Sequence, residues 1–197
     1  HHRKMMKQQM KREDGIMRKQ RFIVGILGVV FLSGFVLLSA QAAQTETIAV
    51  KVTVSPSISI SVSSSSISLG LLSAGATKVS TSAITVTNNG TGVNETYSLS
   101  LTNPTGWTAS QTAAGAEIYA LCAAFSNVDT GIVWGMTNHA LSTIPVACST
   151  TKFAGDQNGV AVAYNATRKL WFQFKAPTST VVNTEQNISV VITAQAG

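Results

Sequence analysis

The chain is poor in the residues from which most catalytic and metal sites are built. It has 197 residues, of which three are His, two are Cys and eight are Asp or Glu. With no C-x-x-C, no carboxylate cluster and one His (His139) beyond the first two positions, a zinc or calcium site has no ligand set. Asp156-Gln157-Asn158-Gly159 begins like a calcium loop, but it lacks the alternating acids and the closing Glu, so it reads as a turn. No G-x-S-x-G elbow is present, and a triad from His139 with Asp129 or Asp156 has no motif behind it. Neither Cys is flanked by a nucleophile pattern. An exported hydrolase assembled from His139 and scattered acids therefore ranks last, and no cofactor is expected.

Basic charge is also missing where it would matter. The formal net charge is +6, which suggests an acidic partner such as nucleic acid or a membrane surface. Residues 1–42, however, hold eight Lys/Arg and two acids, which accounts for all of it. From 43 to 197 six basic residues face six acids. Nucleic-acid binding through phosphate neutralisation loses its main support.

The leading segment explains the imbalance. Met17-Arg18-Lys19-Gln20-Arg21 is basic, Phe22 to Leu38 is apolar apart from Ser33 and the glycines, and small residues stand at Ala40 and Ala42. That is the layout of a secretory signal peptide over 17–42, with cleavage expected after Ala42 or, next, after Ala43. An uncleaved membrane anchor is the competing reading, although 17 apolar residues are short for a span. Residues 1–16 have no apolar periodicity and read as an upstream, non-native or unstructured stretch. The expected location is outside the cell or on its surface, with the membrane met only through the leader.

What the chain has in quantity is hydroxyl. Residues 43–197 contain 20 Ser and 23 Thr against 12 charged residues. Thr suits a half-buried pleated surface, and Ser competes with helical bonding. Period-2 alternation follows at Ile58–Val62, Ile67–Leu72, Ser82–Thr87, Tyr97–Thr102, Ile118–Phe125, Ile132–Trp134, Gly159–Tyr164, Leu170–Lys175 and Asn187–Ala194. Asn88–Gly92, Asn103–Gly106 and Asp156–Gly159 supply turn chemistry, and Asn165–Lys169 reads as a hairpin turn joining Val160–Tyr164 to Leu170–Phe174. Gln111–Ala124 is ambiguous, Ala-rich like a helix yet alternating at Ile118, Ala120 and Cys122. The expected fold is all-β: one antiparallel β-sandwich of about 8–10 strands over 57–197, Ig-like or jelly-roll-like.

Three groups of residues stand out. Cys122 and Cys148, in a chain read as exported, are expected to form a disulfide contributing on the order of 3 kcal/mol. Trp171 falls opposite Leu170, Phe172 and Phe174 in strand parity, so it reads as an outer-face aromatic, either covered by a loop or available to surface glycans. Trp107 and Trp134 read as core-edge residues, and the sequons at Asn89, Asn94, Asn165 and Asn187 leave glycosylation open. Finally, from Ile48 to Val62 every even position but Pro56 is apolar. A strand of that length would extend about 50 Å, far beyond the usual strand, and Pro56 cannot donate a ladder bond. The run therefore divides: either two consecutive strands of one sandwich, or a donor strand within 43–56. In the second case Ile48, Val50, Val52 and Val54 would form an interface with another subunit.

The stretches Ile67-Ser68-Leu69-Gly70-Leu71-Leu72-Ser73-Ala74-Gly75, Ser82-Ala83-Ile84-Thr85-Val86-Thr87-Asn88-Asn89-Gly90 and Tyr97-Ser98-Leu99-Ser100-Leu101 resemble bacterial secreted β-sandwich surface proteins. Pilus-type, spore-coat-like and WxL-type domains share this style, and Lys169–Pro177 resembles a penultimate strand of exported bacterial proteins. No WxL motif is present, so cell-wall attachment by that route is not implied. The resemblance implies a non-enzymatic filament, pilus or coat subunit whose partner is itself, joined head-to-tail by strand donation; a secreted carbohydrate-binding or adhesin module is the alternative.

Overall fold

The computed structural model describes residues 49–53 and 55–197. The expectations for residues 1–16, for the leader 17–42, and for Ile48 and Val54 lie outside the described residues. The chain parts into two units between Val52 and Thr53. Of the first unit, residues 49–52 are exposed and take no regular secondary structure.

The second unit is almost entirely β. Its strands are β1 (Ile60–Val62), β2 (Thr77–Val79), β3 (Ile84–Asn88), β4 (Glu95–Thr102), β5 (Thr108–Ala109), β6 (Ile118–Phe125), β7 (Val146–Ala147), β8 (Thr167–Lys175) and β9 (Ser189–Ala196). A single turn of helix, α1 (Met136–His139), lies against β6. Among the described residues no helix is long and apolar enough to cross a membrane.

Six strands form one sheet in the order β1-β3-β8-β6-β5, with β2 also on β8. The nine residues of β8 organise it: the first part pairs with β3 (Ile84↔Leu170), the last with β2 (Val79↔Gln173), and β6 runs along the other edge (Phe125↔Leu170, Ala120↔Lys175). Three strands form the second sheet, β7-β4-β9. Among the described residues every pair of these strands but one is antiparallel; β5 meets β6 in parallel at Thr108↔Ile118.

Both sheets contribute to one hydrophobic cluster. Ile84 and Val86 of β3, Tyr119, Leu121, Ala123 and Phe125 of β6, and Leu170 and Phe174 of β8 meet Tyr97, Leu99 and Leu101 of β4 there. Each set has period 2, which alternating side-chain direction requires. Burying one such large side chain contributes roughly 1.5–3 kcal/mol, and Tyr97 and Phe125 pack across the interior with ring centroids 6.0 Å apart. Trp107 is partly buried at the edge of this cluster and stacks on Phe174.

Several sequence expectations are revised. Only the second half of the ambiguous Gln111–Ala124 stretch is regular: residues 111–117 lie outside any strand, and from Ile118 it is β6, a strand buried on both faces except at its first residue. Its core face carries the large side chains, and its other face carries Ala120, Cys122 and Ala124. The hairpin expected from 160 to 174 does not form. Val160–Tyr164 makes a single backbone bridge to β4, Glu95↔Val162, and the partners of β8 are β2, β3 and β6. Ile67–Leu72 and Ile132–Trp134 are not strands either. Ile67, Leu69 and Leu72 pack against the cluster from a segment without a ladder.

Candidate strand-pairing edge

The second sheet ends on an unusual edge. All eight residues of β9 pair with β4, from Ser189↔Thr102 to Ala196↔Glu95. The far edge of β4 is occupied along its length. Glu95 and Val162 exchange both backbone bonds, Tyr97 binds Gly159 and Cys148, and the Leu101 N–H reaches the Ser142 carbonyl. These partners all sit on odd-numbered β4 residues. The even-numbered ones, Thr96, Ser98, Ser100 and Thr102, must therefore point their backbone groups at β9, where they meet Gln195, Thr193, Val191 and Ser189. The bond from Gly197 N–H to the Asn94 carbonyl continues the same phase.

It follows that Val190, Ile192 and Ala194 direct their N–H and C=O groups outward. None of them has a backbone partner there among the described residues. Their side chains face the core cluster but are only half-buried, while Ser189, Val191, Thr193 and Gln195 are exposed on the opposite face. The sequence of β9 contains no charge, Pro or Gly. Long strand edges are usually protected by just those residues, or by bulges and shortness. The other edge strands, β1, β2, β5 and β7, are two or three residues long. β9, with eight, is the one long edge among the described residues.

Of the expected interface residues, Val50 and Val52 are 80% and 76% exposed. Trp171 is half-buried and donates its indole N–H to the Ser126 carbonyl at 3.0 Å, which commits the polar handle of the ring to the protein. It sits opposite Ala124 on the non-core face of the first sheet.

The expected disulfide is absent. Cys122 and Cys148 are both buried free thiols. Strand parity gives the reason: Cys122 occupies the face of β6 turned away from the core, its sulfur 3.8 Å from the Met136 Sδ of α1, whereas Cys148 belongs to the core cluster. β6 itself separates them. Burial pushes the Cys122 thiol up to about 11 and the Cys148 thiol up to about 12. The nucleophilic thiolate is thus disfavoured at both positions.

His139 is 5% exposed, and its ring is held between two backbone groups. Nδ1 accepts the Gly135 N–H at 3.1 Å, which leaves Nε2 as the donor to the Ala154 carbonyl at 3.0 Å. Asp156 is bonded to the Asn127 backbone N–H and side-chain amide, and the backbone bond is the main cause holding its carboxyl below the usual range. No hydrogen bond joins His139 to Asp156, to Asp129 or to either thiol among the described residues, and no group of three His, Cys, Asp or Glu is placed to hold a metal ion there.

Sequence reasoning passed over Glu95, which is fully buried at the start of β4. One of its oxygens accepts the Ser59 N–H at 2.7 Å, and the other, like the Tyr97 hydroxyl, has no partner among the described residues. The signal was available: Tyr97, Leu99 and Leu101 share an inward parity that, continued backward, places Glu95 inside. Comparisons of the chain with protein-family models, with curated proteins and with solved structures return no match.

Proposed function

We propose that the protein is an exported structural subunit, a single antiparallel β-sandwich at the cell surface or beyond it that builds a filament, pilus or coat from copies of itself. The N-terminal strand, Thr47–Val54, is donated to the next copy, with Ile48, Val50, Val52 and Val54 filling its groove. The observation that carries this reading is the long uncharged edge of β9, which lacks the devices that keep such edges from pairing. The exposed, apolar-alternating segment containing Val50 and Val52 supplies a strand of matching character. A contact in which one surface gives and a different surface receives is not self-complementary, so unless its rotation closes a ring it propagates into a polymer.

The test is removal of residues 43–54 from the exported chain, with electron microscopy of wild type and deletion at equal concentration. Filaments in the wild type and none in the deletion are the expected result. Unchanged filaments in the deletion, or a wild type that stays monomeric at high concentration, would overturn the proposal. Binding to arrayed glycans that disappears in Trp171→Ala would favour an adhesin module in its place.

A further inference from the structure

We infer that the acceptor for the N-terminal strand of a second copy is the outer edge of β9, entered with Val50 beside Ile192. This rests on the self-assembly reading above and adds the site and the register. Three observations converge on it.

The first is hydrogen bonding. Val190, Ile192 and Ala194 present unpartnered outward backbone groups, and a ladder along that edge satisfies them alternately, as an added strand does. The second is length. Thr47–Val54 and β9 both have eight residues, whereas β1, β2, β5 and β7 offer two or three. A strand of that size laid on any of those edges leaves most of its own backbone unpaired.

The third is chemistry on both faces. Val190, Ile192 and Ala194 form a half-buried row facing the core, so Ile48, Val50, Val52 and Val54 extend that row and complete its burial. Thr47, Ala49, Lys51 and Thr53 then join Val191, Thr193 and Gln195 on the exposed face, where Lys51 stays in water. A slip of one residue would drive Lys51 into the interior and bring the valines out, so the register is specified. The donor comes from a second copy because within the single chain residues 49–53 form no strand.

Val50 beside Ile192 holds whether the donor runs with β9 or against it. Lys51 then lies beside Thr193 in the parallel case and beside Val191 in the antiparallel case. These three side chains are exposed, so exchanging them leaves the core intact. The experiment pairs Lys51→Cys with Val191→Cys or with Thr193→Cys in the full exported chain, and Lys51→Cys with Ser61→Cys on the short β1 edge as control. Mild oxidation followed by non-reducing electrophoresis reads the links. Cys122 and Cys148, buried with raised pKa values, compete little.

A ladder of dimers and larger species from a β9 pair, absent from the β1 control, is the expected result. Independently, Ala194→Pro removes one outward N–H while sparing the bonds to β4, and it should lower polymer yield roughly tenfold or more. Filaments that form in every variant and cross-link only through β1 would overturn the β9 assignment while leaving self-assembly standing. A link closed within one chain would overturn donation to a second copy. Failure of the wild type to polymerise at all would overturn the self-assembly reading itself.

Discussion

Glu95 and the two thiols show how tightly single side chains are fitted in this fold. Glu95 approaches the turn at Gly90 so closely that a Cβ at that glycine would lie 2.6 Å from Oε1 and would also clash with the Ser57 carbonyl oxygen. The turn Asn88–Gly92 therefore needs Gly90 for space, while its left-handed backbone position is Gly92, at φ 76°. Asn88, also fully buried, closes the same corner by donating to the Val162 and Val93 carbonyls and accepting the Gly90 N–H. The thiols carry a pH prediction. Burial raises Cys122 to about 11 and Cys148 to about 12 from an ordinary 9.0, and raises Tyr97 to about 12 from 10.0. In each case the fold prefers the protonated form, so the unfolded chain loses its protons first as pH rises. Their stabilising effect is complete below pH 9.0 and is lost progressively as pH climbs toward 12. Urea midpoints should be level between about pH 7 and 8.5 and fall from about 9.5 upward. A midpoint that holds steady to about pH 11 would contradict the assignment of these groups as buried and protonated.

At the scale of elements, alternation in the sequence matched burial in the strands of the core but not in the first run, where Val50, Val52, Ile58 and Val62 are exposed, and it reported ladder pairing less well still. Ile118–Phe125 is a strand over its whole expected length, and Tyr97–Thr102 and Leu170–Lys175 lie within β4 and β8. Val160–Tyr164 alternates just as clearly, and Val162 is indeed fully buried, yet the segment makes one bridge and no ladder. Ile67, Leu69 and Leu72 behave likewise. An apolar side chain every second residue needs an extended backbone against a core; it does not need a neighbouring strand, so the pattern cannot distinguish the two. The disulfide expectation failed for a related reason. Spacing and compartment favour a pair, but only the parity of β6 relative to the core says on which side each sulfur lies. The open edge was half legible: the sequence displayed the apolar alternation of the proposed donor, while the proposed acceptor depends on which strand ends the second sheet, a matter of topology. Backbone exchange tests that topology directly. In the monomer the amides of Val191 and Thr193 should exchange slowly because they bond to β4, and those of Val190, Ile192 and Ala194 should exchange rapidly. In the polymer all five should be protected. Equal protection of both sets in the monomer would mean that the outer edge is already covered.

At the scale of the whole molecule, charge is unevenly placed: residues 1–42 account for all of the formal net charge of +6. Residues 43–197 balance six basic against six acidic side chains, and one of the acids, Glu95, is buried. Its surface is kept wet by Ser and Thr hydroxyls. Such a surface gives copies of the chain little long-range repulsion and little steering, because screened charges of zero net sum produce no sustained field beyond about 10 Å at ordinary salt. Association along β9 would instead rest on backbone hydrogen bonds and on burial of the Val190–Ile192–Ala194 row under an apolar strand. These two driving forces differ in their response to ions. Sodium chloride screens charge and barely touches apolar burial at moderate concentration, whereas sulfate, excluded from protein surface, strengthens burial. Polymerisation of the chain beginning at Ala43, followed by light scattering, should therefore change by less than about twofold between about 0.02 and 0.5 M sodium chloride. Ammonium sulfate at the same ionic strength should accelerate it. A steep loss of polymer with sodium chloride would show that ion pairs, with Lys51 the one charged side chain in the donor strand, hold the copies together, and the β9 ladder would no longer account for assembly.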